Sequence, residues 1–466
     1  VTRPLRVAVI GAGPSGMYAA GHLLEGPGGT YLDGRLVQLV NRRIEVDVID
    51  RLATQWGLVR NGVAPDHPDK KLAHTVFEHI AARDGFRFFG NIEIGTHVTV
   101  AELAQWYDAV IYAYGADRDA ALRIPGESTP GSVAAREFIA WFNGHPGYAH
   151  LEPDLSHERA VIIGNGNVAL DVARILTAPT DVLARTDIAD HALQTLRHSR
   201  IREVVLLGRR GYEQAAFNNP ELEELGHLRG VDIVVQGAEF QATHQPDPTT
   251  RRKVKTLRTY AQTRVNGHDK RIILRFLTSP VNVLGTDRAT GLTVEHNEIV
   301  EGSVNPTGTY SVIETGLIVR AVGYFGSPIE GLPFDERRGV IANTHGRVEH
   351  LRGAYVTGWM KRGPRGIIGT NKKCARDTVR ALLADADLNL LPTEGTLARE
   401  TVEQELRHRQ PNLVDQPGWR RIDAVERIAG WSTGRPRVKL TNLDRLLTAA
   451  APVAEHASPV NRPATL

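Results

Sequence analysis

The chain of 466 residues contains one cysteine, Cys374. A single thiol excludes an internal disulfide, a cysteine zinc site and a resident iron–sulfur cluster, since each needs several cysteines. It also excludes the redox cysteine pair with which many flavoproteins reduce disulfides. Such sparse cysteine suits a reducing compartment, and the expected location is cytoplasmic. No run of about 18 apolar residues occurs, so membrane insertion is not expected. The chain enters a strand at Leu5, and a signal peptide is not expected. Charge of one sign is scarce as well: 56 Lys and Arg stand against 53 Asp and Glu, a net +3. That balance is far from the concentrated positive charge of a nucleic-acid binder. No metal site is expected.

What is present is ordinary for a soluble protein with real cores, 41% hydrophobic and 23% charged, and the length fits two or three domains. Residues 5–10 form a continuous apolar strand. It runs into Gly11-Ala12-Gly13-Pro14-Ser15-Gly16 and a helix ending near Glu25. A Gly-rich stretch, 26–34, precedes a strand at 44–50. Residues 56–71, rich in Gly, Pro and Asp, read as a long loop, 77–83 as a helix and 109–113 as a buried strand. The pattern restarts at Ala160, with a strand at 160–163, a turn at 164–167, a helix at 168–176 and a strand at 204–207. The expected fold is α/β, with two doubly wound dinucleotide-binding domains. Residues 238–308 alternate in strand fashion and carry basic residues. A last strand lies at 317–321 and a further Gly-rich passage at 354–376. The tail from about Leu391 reads as polar helix, with Trp419 and Trp431 as packing anchors.

The first glycine turn has a stated physical use for each glycine. Gly11 permits the tight turn, Gly13 lets backbone approach a pyrophosphate, and Gly16 lets helix and strand pack closely. The helix N-terminus then faces the phosphates. The motif alone is weak, and a tight turn without ligand would look similar; its place between a strand and a helix strengthens it. The fingerprint expects an acid on the ribose about 20 residues further on. Asp50 ends the next strand but lies beyond that distance, and residues 26–43 read as an insertion that accounts for the excess. Asp50 is the candidate ribose ligand, against the plainer reading of a strand-end acid. The second turn is Gly164-Asn165-Gly166-Asn167-Val168-Ala169, where alanine is allowed at the third position. Its next strand ends in Arg209-Arg210, again after an inserted segment, 177–200. An acid there would repel a 2′-phosphate, whereas two guanidinium groups match one in charge and geometry. The alternative is two surface arginines that serve solubility. The pair of sites implies FAD in the first and NADPH in the second, hence hydride chemistry on a flavin. Without a cysteine pair or a metal relay, electrons must leave to an external acceptor.

Four stretches carry a family likeness. They are Trp56-Gly57-Leu58-Val59-Arg60-Asn61-Gly62-Val63-Ala64-Pro65-Asp66-His67-Pro68, the second glycine turn continued through Leu170-Asp171-Val172-Ala173-Arg174, Gly208-Arg209-Arg210-Gly211, and Gly358-Trp359-Met360-Lys361-Arg362-Gly363-Pro364. The last continues into Gly366-Ile367-Ile368-Gly369-Thr370-Asn371-Lys372. With them the sequence closely resembles the adrenodoxin reductase family of ferredoxin–NADP reductases, especially its bacterial members, from Arg6 to about Leu447. The resemblance implies a hydride taken from NADPH onto FAD and electrons passed singly to a ferredoxin-type iron–sulfur protein. It implies FAD contacts from Ser15, Asp50, Leu58, Ile94 and Trp359, with Gly366, Ile367 and Ile368 beside the flavin ring. It implies NADPH contacts from Asn165, Gly166, Asn167, Val168, Arg209, Arg210 and Glu221, with Gly366 also near the nicotinamide. His67 and Asp171 resemble a polar pair that the family associates with electron or proton handling. The FAD domain would be discontinuous, 1–116 and 326–466, around an inserted NADPH domain, 117–325.

Physical support for these implied roles is uneven. A tryptophan before a Gly/Pro loop can wall off a flavin face, or simply pack. A lone loop histidine is more often solvated or satisfied than functional. Three features depart from the family: the longer 26–43 segment, Ala53 and Gln55 in place of prolines, and Tyr212-Glu213 after the arginines. An acidic acceptor calls for a basic docking face. The candidate runs are Arg251-Arg252-Lys253 with Lys255 and Arg258, and Lys270-Arg271 with Arg275, each of which is also an ordinary solvated run. The rival functions are the electron-input flavoprotein subunit of a larger redox enzyme, a flavin-binding sensor and a flavin monooxygenase.

Overall fold

The computed structural model describes residues 3–25, 30–32, 35–37, 43–240, 247–392 and 396–452. The apolar run Leu5–Ile10 has no polar face to turn to solvent, and it lies inside a sheet between parallel neighbours Ile44–Ile49 and Ala109–Tyr112. Phe86–Gly90 and Ala354–Val356 extend the parallel core on either side. Short antiparallel strands, Val414–Asp415 at one end and Asn343–Thr344 with Arg347–Val348 at the other, complete eight strands. This sheet therefore draws on both ends of the chain. One face packs against helices Pro14–Leu24, Ala73–Ala81 and Ile368–Asp387, and the other against Val100–Trp106 and Arg399–Arg409.

The intervening chain builds a second sheet of six parallel strands, in the order Val231–Gln236, Lys270–Arg275, Glu203–Leu207, Arg159–Ile163, Leu317–Arg320, Ser132–Ala134. Helices Ala135–Phe142, Asn167–Thr177 and Asp190–Arg197 bury their apolar stripes on one face. The other face is covered by an antiparallel meander, Thr278–Leu284, Gly291–Val300 and Ser303–Glu314. The fold is thus α/β with two dinucleotide-binding units, the second inserted in the first. Where the chain passes between them, Arg118–Asp119 pairs antiparallel with Tyr324–Phe325.

Three expectations need correction. Residues 56–71 are not all loop, because Leu58–Asn61 and Pro68–Lys71 are short helices. The basic stretch within 238–308 includes a helix, Pro248–Gln262; Asp247 caps it by accepting from the Thr249 and Thr250 amides, and Pro248 occupies its first turn. The segment 177–200, read from sequence as an insertion, carries helices Thr180–Leu183 and Asp190–Arg197. Trp431 is no packing anchor: it is 86% exposed, whereas Trp419 is 3% exposed. Of the insertion at 26–43, only the hairpin Thr30–Leu32 with Arg35–Val37 and the final residue Arg43 are described, and the rest lies outside the described residues.

Trp419 stands edge-on to Trp56 with ring centroids 4.8 Å apart, beneath Arg60 at 5.7 Å. Trp419→Ala should therefore destabilise the protein by about 3–5 kcal/mol, and Trp431→Ala should change stability by less than about 0.5 kcal/mol. Urea denaturation of both variants checks this. Equal losses would contradict the assignment of the anchor.

Candidate active site

The parallel strands of the first sheet end together at Ile10, Ile49, Tyr112 and Val356, the edge at which doubly wound folds bind ligands. Gly11 turns there with φ +111°, and a Cβ on it would meet the Ala113 carbonyl oxygen at 2.6 Å. A Cβ on Gly16 would lie 1.8 Å from the Gly11 carbonyl oxygen. Only glycine permits this approach of helix and strand. An α-helix leaves its first-turn N–H groups without intrahelical partners, and no side chain caps helix Pro14–Leu24. The open cradle and uncapped N-terminus fit a diphosphate.

Asp50 closes the turn: its carboxylate accepts from the Ala12 amide at 2.6 Å and the Leu52 amide at 2.8 Å. Burial pushes this carboxyl above its ordinary range, against the opposing pull of those amides. Gly57, at φ +48°, backs onto Gly13, where an added Cβ would sit 2.8 Å from the Gly13 Cα. That contact brings partly exposed Leu58 beside the turn. Ile94 packs in the cluster under the strand ends, with Ile10, Ile49 and Tyr112. Gly358, at φ +68°, approaches Ser15 so closely that a Cβ would meet Ser15 Oγ at 2.1 Å. Ser15 donates to Asn371 Oδ1 at 2.9 Å, and Arg362 donates to the same oxygen at 2.8 Å. Trp359 follows Gly358 and stacks on Tyr324, with centroids 5.7 Å apart and planes at 19°. Gly366 and Ile367 are exposed, and with Ile368 they lead into helix Ile368–Asp387, in whose first turn Thr370 Oγ1 accepts from the Ile367 amide at 3.2 Å.

The second turn repeats the geometry. Gly164 has φ +127°, and a Cβ would lie 2.2 Å from the Ala321 carbonyl oxygen. Gly166 precedes helix Asn167–Thr177, which has no side-chain cap and begins Asn167-Val168. The Asn165 carbonyl accepts from the Ala216 and Phe217 amides at 3.1 and 3.0 Å, and Asn167 Oδ1 accepts from the Asn218 amide at 2.8 Å. Arg209 and Arg210 are both exposed, with no carboxylate partner among the described residues. Two free guanidiniums beside an uncapped helix start fit a phosphorylated dinucleotide.

His67 lies between the units, and its principal partner is not Asp171. His67 Nε2 meets Glu224 Oε2 at 2.7 Å, while Asp171 Oδ1 is 3.8 Å from Nδ1. Arg174 intervenes, donating to Asp171 at 2.6 Å and to Asp66 at 2.8 Å. His67 Nδ1 has Lys70 Nζ and Arg174 Nη2 each at 3.2 Å. Both neighbours are obligate donors, so Nδ1 accepts and the ring proton sits on Nε2, donating to Glu224. Burial pushes Asp171 above the ordinary carboxylate range, more than Arg174 and His67 pull it down. Glu221, in the same short helix as Glu224, accepts from Lys70 at 3.3 Å.

The structure therefore gathers Gly11, Gly13, Ser15, Gly16, Asp50, Leu58 and Trp359 around one turn. Asn165 to Val168 with Arg209 and Arg210 surround the other, and His67, Asp171 and Glu221 lie between the units. Sequence reasoning missed Tyr324, Glu224, Lys70 and Asn371. Asn371 lay inside a matched stretch and gave a signal, while Tyr324 and Glu224 acquire their places only through tertiary contact.

The docking runs named from sequence are largely engaged elsewhere. Arg252 is paired with Glu223 at 2.6 Å, Lys253 is buried over the Phe217 ring, and Arg271 meets Glu203 at 2.5 Å. Arg258 donates to the Phe240 carbonyl at 3.2 Å, and Lys270 to the Leu176 carbonyl at 3.3 Å.

A second charged cluster sits near the crossing between units. Arg136 donates to Asp119 at 2.9 Å and lies over Tyr148, whose ring also faces His145. Burial pushes the His145 imidazole down from 6.5 to about 4, and the Arg51, Arg136 and Arg60 guanidiniums add to the shift. Such a group binds its proton less readily folded than unfolded, so its contribution to stability is complete above pH 6.5 and is lost as the pH falls toward about 4. His145→Gln should flatten the stability profile across that window. Chemical denaturation at a series of pH values checks this, and an unchanged slope would contradict it.

A family model described as pyridine nucleotide-disulphide oxidoreductase matches residues 5–214. NADPH-ferredoxin reductase FprA of Mycobacterium leprae (strain TN) is 47% identical over 453 residues, spanning 95% of this chain and 97% of its own. The mitochondrial NADPH:adrenodoxin oxidoreductase of Arabidopsis thaliana is 38% identical over 97% of this chain and 96% of its own. The solved structure of Mycobacterium tuberculosis FprA in complex with NADPH matches with a TM-score of 0.89 at 46% identity, covering 96% of this chain and 100% of that one. The lone cysteine separates this chain from the disulphide chemistry in the family model's description, and the full-length likeness is to ferredoxin reductases. The chain belongs to the adrenodoxin reductase-type family of ferredoxin–NADP reductases.

Proposed function

We propose that this protein is an FAD-dependent ferredoxin–NADP reductase, a flavoprotein oxidoreductase that takes a hydride from NADPH and delivers electrons to a ferredoxin-type iron–sulfur protein. One observation carries the reading: two uncapped glycine turns occur in one chain, one closed by Asp50 and the other followed by Arg209-Arg210 with no carboxylate partner among the described residues. FAD, when bound, supplies the exchange between a two-electron hydride and single electrons. The FAD unit is assigned to 1–116 and 326–466 and the NADPH unit to 117–325, boundaries that fall at the paired crossing strands. The proposed location is the cytoplasm; no described helix is long and apolar enough to cross a membrane.

In this reading the chain's own groups bind, orient and exclude water. Gly11, Gly13, Ser15 and Gly16 would hold the diphosphate of FAD, and Asp50 would accept from its ribose. Leu58, Ile94 and Trp359, with Gly366, Ile367 and Ile368, would hold the flavin. Asn165, Gly166, Asn167 and Val168 would hold the NADPH diphosphate, Arg209 and Arg210 its 2′-phosphate, and Glu221 its ribose. Hydride transfer needs alignment rather than an acid or base. His67 and Asp171 accordingly serve by ordering the boundary between the two sites, with the proton of His67 held on Nε2.

Coenzyme choice then rests on two charges. Each charge-assisted contact contributes about 1.5–3 kcal/mol, so Arg209→Ala with Arg210→Ala should lower kcat/KM for NADPH by at least about a hundredfold and leave NADH nearly unchanged. A double variant that still strongly prefers NADPH would remove the argument.

The acceptor face is proposed beside the flavin loop. Exposed Ile367 lies near Arg365, Lys372 and Lys373, which are exposed and have no carboxylate partner among the described residues. An acidic iron–sulfur protein complements that charge. Lys372→Glu with Lys373→Glu should slow ferredoxin reduction by about tenfold at low salt, the effect shrinking as salt screens it. Flavin reduction by NADPH should be unaltered. Stopped-flow traces at two ionic strengths check both halves, and a salt-independent result would refute the placement.

A further inference from the structure

The four-residue helix Pro68–Lys71 belongs to the first unit but is held at both ends by the second. At its start, Asp66 and His67 engage Arg174 and Glu224. At its end, Lys71 Nζ donates to both oxygens of Asp187 at 2.7 and 2.8 Å and to Asn143 Oδ1 at 3.0 Å. From the C-terminal segment, Lys439 Nζ reaches the same two side chains. It lies 3.0 Å from Asp187 Oδ2 and 3.3 Å from Asn143 Oδ1, and it donates to the Arg60 carbonyl at 3.1 Å. Each ammonium thus has three acceptors for its three protons.

All three charged side chains are withdrawn from water: Lys439 is wholly covered, Asp187 is 9% exposed and Lys71 is 11% exposed. Burial lowers both lysines. Burial also works to raise Asp187, but Lys439 and Lys71 hold it below the ordinary carboxylate range. The same C-terminal segment continues the attachment. Arg435 meets Asp190 at 2.5 Å, the Thr186 carbonyl at 3.0 Å, and the Ile188 carbonyl. On the first-unit side, Arg60 is fixed by both oxygens of Glu426, at 2.7 and 2.6 Å.

Two cations sharing one carboxylate make the cluster asymmetric. Removing a lysine leaves a balanced pair. Removing the carboxylate leaves two buried ammonium groups with no counter-charge, the arrangement a protein interior tolerates least. The cluster also lies one residue from Lys70, which reaches His67 and Glu221, so its displacement is passed along one short helix to the boundary between the two sites.

We propose that Lys71, Asp187 and Lys439 form a clamp that fixes the two units relative to one another, and that they are positioning residues for the hydride step. The proposal rests on the reductase reading given above. It also assigns the C-terminal segment around Lys439 a part in setting the distance between the nicotinamide and flavin sites.

The test uses FAD-loaded protein, with NADPH mixed in a stopped-flow instrument. Asp187→Asn should lower the limiting rate of flavin bleaching by about tenfold or more, with the NADPH concentration at half-saturation changed by less than about threefold, as for loss of alignment without loss of binding. Reduction of ferredoxin by dithionite-reduced enzyme should be unchanged. Lys439→Met should have a smaller effect than Asp187→Asn, and adding Lys439→Met to Asp187→Asn should restore part of the loss. On flavin-free protein, amide exchange in Pro68–Lys71 should quicken in Asp187→Asn and less so in Lys439→Met. If Asp187→Asn fails to fold, Lys439→Met and Lys71→Met carry the comparison, and bleaching and exchange identical to wild type would overturn the clamp. An Asp187→Asn effect no larger than that of Lys439→Met, or an equal loss in both half-reactions, would overturn it too. A wild-type protein that NADPH does not bleach would instead overturn the reductase reading.

Discussion

The architecture depends on a backbone contact made twice. Gly11 and Gly164 each lie against the carbonyl just past the end of a neighbouring strand, Ala113 in one unit and Ala321 in the other, at distances no Cβ could occupy. That contact brings the helix start over the sheet edge. It leaves the helix N–H groups pointing outward, where an anion is the natural partner. Every further feature of the site is arranged around this pair of turns. Gly57 and Gly358 bring their loops within contact of the first. Asn165 receives two amides from the loop that follows Arg209 and Arg210.

Charge is distributed according to the same plan. The two sheets pack into large apolar clusters, and several buried ionic groups gather where the units meet. Arg174 is 2% exposed among Asp66, Asp171 and Glu224, and the side chain of Lys439 is wholly covered against Asp187. A buried ion pair adds little net stability over apolar packing, but one partner without the other is strongly unfavourable. Such groups define one relative arrangement of two surfaces where apolar contact alone would accept several. A reaction that needs two rings held at a fixed separation has use for that kind of constraint.

Much of this was legible in the sequence because it follows from local chemistry. The glycine turns, the strands that feed them, Asp50 and the two arginines are fixed by short-range pattern. The strand Leu5–Ile10 and the arrest of Glu203–Leu207 before Gly208-Arg209-Arg210 need no distant partner to be recognised. The errors have equally definite causes. Helix Pro248–Gln262 was hidden because its buried face is only Lys253 and Leu257, a stripe too thin to register against so many charges. Trp431 read as an anchor because tryptophan usually is one; its neighbour Trp419 shows that the helix turns its other face inward. The partners of His67 were invisible because Glu224 lies in the inserted unit, where spacing along the chain carries no information about contact.

A histidine free to exchange a proton needs one ring nitrogen open to solvent or substrate. His67 is 7% exposed, with Glu224 on one nitrogen and Lys70 and Arg174 on the other. Those three residues come from both units, so the ring is a joint between them. In the proposed function the hydride step would ask for no proton from it, and what the structure gives the ring is contact with both units. A side chain of this kind can matter to rate without touching the reacting atoms, because a small error in alignment is enough to slow the transfer.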